Sequence, residues 1–283
     1  MKSFKNIFIK AILLLGRKTF LGRGKLRKLL IYIIEKILSS KKYDPNKPLF
    51  TTKLWDFEIY FYADKKTGLK VYFERNENLE INYLKKNIPS NSWFIDIGSN
   101  IGLYTLNILN LNKNKRKINV LSIEPNKIIF ERLKENISLL KKKNKYVNNK
   151  FKLFNSAVGE KNSNVIINTS YNHANAKIEK ISKFSKKKDL SYVRMNTLTN
   201  IMKSVKIKNI YCIKIDTEGY EFNILRHFFR NTKPINYPNI LIVEHNNEKM
   251  KKKKMDKFLI NYAYEIAFNT NSNTVYKNYE KKG

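Results

Sequence analysis

Five short apolar runs recur along the middle of the chain, and each ends in polar or small residues. The runs are Trp93–Ile97, Ile118–Ile123, Phe151–Phe154, Ile210–Ile215 and Asn239–Val243. Runs of this length and apolar content predict buried strands, and stretches of helical length separate them. Strands that alternate with helices predict an α/β domain built around a mostly parallel sheet.

The first run passes through a turn bracketed by Gly98 and Gly102 into an apolar stretch of helical length. In an open α/β sheet, such a turn places the N–H groups of a helix N-terminus in a ligand-binding crevice. The dinucleotide fingerprint G-x-G-x-x-G is absent, which argues against a pyrophosphate ligand. Asp96 at the strand end instead suits a ligand with a cationic amino group, and S-adenosyl-L-methionine (SAM) is such a ligand.

The second and third runs end in groups that suit a nucleoside. Glu124 follows the second run, where a carboxylate can accept hydrogen bonds from the two hydroxyls of a ribose. Glu124 can equally begin a helix, with Pro125 at the first helical position. Ser156 and Ala157 follow the third run and leave room for a flat adenine, although an ordinary exit from a strand gives the same pattern.

The fourth run carries the densest set of charged residues. Alternation along the strand places Lys214 and Asp216 on one side, and we expect a carboxylate partner for Lys214 because lysine is almost never buried unpaired. Glu218 follows two residues later, and Glu244 ends the fifth run at the same edge of the sheet. Asp216, Glu218 and Glu221 also suit the N-terminus of a helix, where acidic side chains are favourable.

The blocks FIDIGSNIGLYTL, SIEPN, NSAVGE, IKIDTEGYE and LIVEHN, in this order, resemble the FkbM-type family of class I SAM-dependent methyltransferases over about residues 76–246. Its most specific part is K-I-D-x-E-G-x-E, and Ser99 stands where the family usually has alanine. The resemblance implies a Rossmann-like fold with a seven-strand, mostly parallel sheet and helices on both faces. It also implies cofactor-binding residues: Asp96, Gly98, Asn100 and Gly102 at the methionine end of SAM, Glu124 at the ribose, and Ser156 and Ala157 beside the adenine.

Members of this family typically methylate hydroxyl groups, often on sugars or secondary metabolites, so the resemblance implies O-methyl transfer to a glycan or related small acceptor. Asp216 and Glu218 would lie beside the transferred methyl group. A hydroxyl is a weak nucleophile, and a positioned carboxylate can take its proton. We expect Asp216 to be this base, with Glu218 and Glu244 as further candidates. Asp216 with Glu244 or Asn246 could instead hold a divalent ion, but we favour catalysis without a metal.

The formal net charge of +34 has two interpretations. A basic chain attracts polyanions, and a nucleic-acid 2′-O-ribose methyltransferase could enlist Lys214, Asp216 and Glu244. The alternative is base composition, because AT-rich codons would give the observed excess of Lys, Asn, Ile, Tyr and Phe. The fourth run lacks the Asn/Asp-Pro-Pro-aromatic turn of base-methylating enzymes, so nucleic acid is not the acceptor that we expect. A non-catalytic protein that kept the fold is a third alternative, against which the intact set Asp96, Glu124 and Asp216 argues.

The chain divides into three expected parts: a basic amphipathic helical extension (1–45), a small β cap (46–75) and the methyltransferase domain (76–283). In the cap we expect strands over Leu54–Phe61 and Leu69–Phe73, around a Lys65–Gly68 turn. An insertion over 161–196 contains two more expected strands, Val165–Thr169 and Tyr192–Met195. Between them, Tyr171, Asn172, His173 and Asn175 form a candidate substrate-facing loop.

The cellular location follows from the cysteine content and the N-terminal segment. The single cysteine, Cys212, permits no internal disulfide framework and indicates a reducing compartment, so we expect a cytoplasmic protein. Residues 1–42 combine apolar residues at helical spacing with many basic ones, and the first apolar run is too short to span a bilayer. This segment suits either peripheral contact with anionic lipid at the inner membrane face or packing on the catalytic domain or on a second copy.

Overall fold

The computed structural model describes residues 7–12, 29–30, 32–34, 36–37, 47–62, 79–114, 116–147, 150–168, 177–179, 190–245 and 249–281. The chain divides into two units, Met1–Glu77 with Ser138–Leu140 and Asn78–Ile137 with Lys141–Gly283. The N-terminal unit contains helical residues at 7–12, 29–30, 32–34 and 36–37. It also contains an antiparallel hairpin of β1 (Pro48–Leu54) and β2 (Phe57–Tyr62).

The hairpin corrects one expectation about the β cap. A continuous strand over Leu54–Phe61 is wrong, because residues 55 and 56 form a turn in which Trp55 has a φ of 53°. Leu54 therefore pairs back with Phe57. Trp55, Phe57, Ile59 and Phe61 occupy every second position, so the periodicity of the sequence does not reveal the turn. The second expected strand, Leu69–Phe73, and the turn before it lie outside the described residues.

Each of the five expected apolar runs forms a strand of the larger unit, and the bounds of each strand lie within one residue of the expected ones. The strands of this unit are β3 (Trp93–Ile97), β4 (Asn119–Ile123), β5 (Phe151–Phe154), β6 (Ala157–Gly159), β7 (Ser163–Asn168), β8 (Lys177–Glu179), β9 (Leu190–Thr197), β10 (Ile210–Ile215), β11 (Ile240–Glu244), β12 (Tyr264–Asn269) and β13 (Asn273–Asn278). The helices are α1 (Leu79–Asn87), α2 (Leu103–Asn110), α3 (Lys127–Lys143), α4 (Leu198–Val205), α5 (Glu221–Arg230) and α6 (Lys249–Ile260).

Seven of these strands form the main sheet, in the order β12-β13-β11-β10-β3-β4-β5. The central strands β11, β10, β3, β4 and β5 are parallel, whereas β13 runs antiparallel to both of its neighbours. This arrangement confirms the expected seven-strand, mostly parallel sheet. Within the described residues, no helix is both long enough and apolar enough to cross a membrane.

Helices cover both faces of the main sheet. On one face, apolar residues of α4, α5 and α6 join alternating strand residues in one large buried cluster. On the other face, α2 contacts β3 and β4, and the rings of Phe94 and Tyr104 stack with centroids 6.5 Å apart. The same face carries polar residues on three adjacent strands, since Asp96 is in register with both Ser122 and Lys214.

A second sheet, with the order β6-β9-β7-β8, forms the insertion between the third and fourth runs. The two strands expected there are confirmed as β7 and β9. After Phe154 the chain leaves the main sheet, and Ala157–Gly159 pairs with β9 in the second sheet. The candidate loop residues Tyr171, Asn172, His173 and Asn175 lie outside the described residues.

Candidate active site

The candidate site lies where β3 and β10 end side by side. From β3 the chain moves through β4 and β5 toward one edge of the sheet, and β10 lies on the other side of β3. The strand order therefore reverses between β3 and β10, and ligands of open α/β sheets bind at such a switch point. The loops after the two strands touch, because Asp216 N donates to Ile97 O at 3.0 Å.

Gly98 occupies the point of closest approach between these two loops. Its φ is +72°, which disfavours any residue with a side chain. A Cβ at this position would also overlap the carbonyl oxygen of Asp216. On the other side, Gly98 N and Ser99 N both donate to Ile123 O, at 2.9 and 3.1 Å. The turn after β3 is thus fixed against both neighbouring strands by its backbone.

Asp96 is fully buried and anchors the start of α2. Its Oδ2 accepts hydrogen bonds from Thr105 N at 3.2 Å and from Thr105 Oγ1 at 2.7 Å, and Thr105 Oγ1 also lies 2.6 Å from Ser122 Oγ. Burial raises the pKa of Asp96, and the nearby Lys214 cation offsets this only in part. The structure therefore gives Asp96 a positioning role in the turn before α2, and its contact with SAM stays a prediction.

Lys214 has the carboxylate partner that we expected. Its Nζ lies 3.0 Å from Asp216 Oδ2 and 3.9 Å from Asp96 Oδ1. The same ammonium group lies 3.4 Å from Gly98 O and 5.2 Å from the centroid of the Tyr104 ring. Burial lowers the pKa of Lys214, but the charges of Asp216 and Asp96 outweigh it, so the pKa is raised and the side chain stays charged.

Glu124 joins the turn after β3 to the loop after β4. Its Oε2 accepts from Asn100 N and its Oε1 from Asn126 N, both at 2.9 Å. Asn155, whose role no sequence pattern indicates, donates from Nδ2 to the carbonyl oxygens of Glu124 and Pro125 at 2.9 and 3.0 Å. Burial raises the pKa of Glu124 to about 7, although the two backbone donors oppose the shift. Asn100 and Glu124 are thus adjacent, because they follow the neighbouring parallel strands β3 and β4.

Asp216, Glu218 and Glu244 form a carboxylate cluster at the ends of β10 and β11. One side-chain oxygen from each residue lies within 4.8 Å of the other two. Burial, followed by the negative charge of Asp216, raises the pKa of Glu244 to about 9. The three candidate catalytic residues are therefore brought together, and Lys214 Nζ lies 3.0 Å from Asp216 Oδ2.

The turn that carries Glu218 is held by Glu221. Glu221 Oε1 accepts hydrogen bonds from Thr217 N at 2.8 Å, from Thr217 Oγ1 at 3.0 Å and from Gly219 N at 3.0 Å. This confirms the interpretation of Glu221 as a helix-start residue. Glu218 itself has a φ of 56° and Gly219 a φ of 116°. A left-handed conformation at a non-glycine residue costs free energy and occurs often at functional sites.

Ser156 and Ala157 are both buried at the junction of the two sheets. Ser156 Oγ donates to the carbonyl oxygens of Ala157 at 2.7 Å and Arg194 at 3.0 Å, and it accepts from Asn196 Nδ2 at 2.8 Å. These bonds fix the crossing from β5 to β6. Contact between these two residues and an adenine stays a prediction.

The residues present fit SAM in charge and in hydrogen-bonding capacity. A carboxylate offers about four lone-pair positions, and the two backbone donors occupy two of those on Glu124, which leaves capacity for two ribose hydroxyls. Asp96, Glu124 and the carboxylate cluster together provide an acidic surrounding for a cationic ligand. Glu124 would hold the ribose, and the turn Gly98–Gly102 would face the methionine end.

Comparison with known proteins gives a family match for this part of the chain. The family described as "Methyltransferase FkbM domain" matches residues 96–266. A methyltransferase FkbM structure from Methylobacillus flagellatus KT has 15% identity and a TM-score of 0.47, covering 91% of this chain and 60% of that chain. A putative RNA methyltransferase from Pyrococcus horikoshii has 12% identity and a TM-score of 0.42, covering 88% and 96%.

A precorrin-6y C5,15-methyltransferase from Geobacter metallireducens GS-15 has 13% identity and a TM-score of 0.40, covering 76% of this chain and 91% of that chain. The chain spans 60% of the length of the Methylobacillus protein. A search of curated proteins finds no match.

Proposed function

Because the chain belongs to the FkbM methyltransferase family and uses SAM, we propose that it transfers a methyl group to a hydroxyl of a glycan or related small acceptor. SAM, when bound, supplies the activated methyl group. The chain must then hold the acceptor oxygen in line and accept its proton. Positioning of this kind can contribute about 7–11 kcal/mol to lowering a barrier, and a general base adds about 10²–10⁴-fold.

Asp216 is the proposed base because the buried ammonium group of Lys214 lies beside its carboxylate. Lys214 Nζ lies 3.0 Å from its Oδ2 and favours the ionised form, as an opposite charge does. The Asp216 side chain is also 35% exposed, so an acceptor can approach it.

The single observation that carries the proposal is the continuity between the carboxylate cluster and the glycine turn. The backbone of Asp216 contacts Gly98, and the Asp216 side chain belongs to the cluster. A base on the β10 loop is therefore adjacent to the loop proposed for the methionine end of SAM. Glu244 Oε2 is buried with no hydrogen-bond partner in the described part of the chain, so it can still accept a bond from a hydroxyl group.

Two features favour a neutral acceptor over a nucleic acid. Lys214 is 5% exposed and is held by two carboxylates, so it is poorly placed to contact a ribose hydroxyl as a 2′-O-ribose enzyme would require. The carboxylate cluster would also repel the phosphates that flank such a hydroxyl. The net charge of +34 favours the RNA alternative only as a general attraction.

We further propose a cytoplasmic protein, on the basis of the single buried cysteine.

Radiolabelled methyl transfer to matched acceptors tests the proposal. Neutral oligosaccharides are compared with analogues in which single hydroxyls are removed, and a short RNA is compared with its fully 2′-O-methylated form. We expect label in a sugar acceptor and its loss when one hydroxyl is removed. Glu265→Gln, which removes an exposed carboxylate elsewhere, should leave the rate unchanged. Label that enters RNA alone, and only when 2′-hydroxyls are free, would replace the glycan proposal. SAM binding without transfer to any acceptor would support the non-catalytic alternative.

A further inference from the structure

The N-terminal helical residues have an inner apolar face that is already packed. Ile9, Ile12 and Ile34 form a buried cluster with Phe61 of the β1–β2 hairpin. The partly buried side chains around this cluster are Leu30, Ile33, Ile37, Leu49 and Phe50. Part of the amphipathic pattern in residues 1–42 is therefore explained by a core within the N-terminal unit.

The same short stretches expose a second set of large apolar side chains. Ile7 is 62% exposed, Phe8 53%, Leu29 52% and Tyr32 54%. The described residues contain thirteen exposed large apolar side chains. Four of these thirteen lie between positions 7 and 37, where the structure describes only thirteen residues in all. Single exposed apolar residues are ordinary, but a concentration of this kind marks a contact surface. The buried cluster around Phe61 does not explain why these four side chains are apolar, because they lie outside it.

The charge of the segment identifies the partner. Residues 1–42 contain twelve Lys or Arg residues and one acid, Glu35. Two of these lysines lie beside aromatic rings in the N-terminal unit: Lys36 Nζ is 5.6 Å from the Tyr32 ring centroid and Lys10 Nζ is 5.9 Å from that of Phe50. Apolar side chains interspersed with basic ones match the acyl boundary and the headgroups of an anionic bilayer. A protein partner would need an acidic surface that also covers these apolar groups.

We infer that the exposed side chains of Ile7, Phe8, Leu29 and Tyr32, in a segment whose sequence is strongly basic, dock on anionic phospholipid membranes. We call these four residues the exposed apolar set. No segment has to cross the bilayer, because binding needs insertion of these side chains only to the level of the headgroups and first methylenes. The inference is independent of the methyl acceptor and of the catalytic base.

Co-sedimentation of the full-length chain with vesicles tests this surface. Vesicles of phosphatidylcholine alone are compared with vesicles that also contain phosphatidylserine, at low and high salt. We expect binding to the anionic vesicles, at least about tenfold weaker binding to the neutral ones, and weakening by salt. Replacing the exposed apolar set by serine should weaken anionic binding by at least about tenfold, because apolar insertion supplies part of the affinity. The matched control is Ile235→Ser with Met250→Ser, which changes two exposed apolar residues of the other unit.

A second variant keeps the test independent of any folding defect in the serine variant. Phe8→Trp preserves an aromatic side chain, and tryptophan is favoured at membrane interfaces. Brominated lipids should quench the added fluorescence of Phe8→Trp, and should not quench that of Ile235→Trp, above the background from Trp55 and Trp93. Equal sedimentation of the wild-type chain and the serine variant, or an unquenched Phe8→Trp, would overturn the inference. So would a wild-type dimer that ignores vesicles and becomes monomeric in the serine variant.

Discussion

Replacing Lys214 by methionine removes the buried cation between Asp96 and Asp216 while keeping the apolar stem. Breaking a buried ion pair by removing one partner costs about 3–5 kcal/mol. The cost should fall at the lower end, about 3 kcal/mol, because Asp216 is 35% exposed and can be hydrated, whereas Asp96 is 1% exposed and cannot. A loss of this size corresponds to a decrease in Tm of roughly 6–12 °C.

The pH dependence of the Lys214→Met variant gives a second measure. Burial already raises the pKa of Asp96, and loss of the cation raises it further. A carboxyl with a raised pKa in the folded state stabilises the fold below its unfolded pKa, and this stabilisation is lost as the pH rises through the folded pKa. The deficit of the variant should therefore be small in acid and largest at neutral and alkaline pH.

Urea unfolding followed by circular dichroism, at several pH values, measures this effect. Lys203→Met is the matched control, since Lys203 is exposed on α4, and we expect it to change the free energy of unfolding by less than about 0.5 kcal/mol. A loss below about 1 kcal/mol for Lys214→Met at neutral pH would mean that the buried cation does not stabilise the fold. A deficit that does not grow with pH would refute the part assigned to Asp96.

Three further predictions concern the cofactor loops and the cluster. Glu124→Ala should weaken SAM binding in calorimetry by about 1.5–3 kcal/mol, and unchanged affinity in the variant would reject the ribose role. Because the pKa of Glu124 is about 7 and the ionised carboxylate is the form that accepts the ribose hydroxyls, the affinity of the wild-type chain for SAM should increase by up to about tenfold between about pH 6 and pH 8. Gly98→Ala should abolish SAM binding or folding, since its Cβ overlaps Asp216 O, whereas Gly159→Ala, which meets only the flexible Met195 side chain, should be tolerated. Activity should survive EDTA; loss in EDTA with recovery in Mg²⁺ would assign the carboxylate cluster to a metal ion.

The sequence predicts the main sheet well because its strands are short apolar runs that end in recognisable turns. It also predicts that Lys214 pairs with a carboxylate, since burial of an unpaired lysine is so costly. Both inferences depend on local features of the sequence: the pairing of Lys214 involves a residue two positions away, and the sheet is predicted from where each apolar run ends. The positions of Asp216, Glu218 and Glu244 follow from the same rule, because the parallel strands β10 and β11 end at one edge.

Other features depend on contacts that no local pattern records. Asp96 is fixed by Thr105 and Ser122, whose roles emerge only when α2 and β4 lie on the same face of β3. The departure of the chain from the main sheet after Phe154 depends on pairing of Ala157–Gly159 with β9, nearly forty residues later. The turn at Trp55 is hidden because Trp55, Phe57, Ile59 and Phe61 occupy every second position, as the residues of one strand would, although the buried positions shift from 52 and 54 to 57, 59 and 61.

We propose that Asp216 acts as the base for methyl transfer beside the loop that faces SAM. The most direct test is to measure kcat and the Kd for SAM together in Asp216→Asn, with Glu265→Gln as the control. A base acts in the transition state, so kcat should decrease by about 10²–10⁴-fold while the Kd for SAM changes by less than about threefold. Full activity in Asp216→Asn would contradict the account, as would a loss of activity explained entirely by weaker SAM binding.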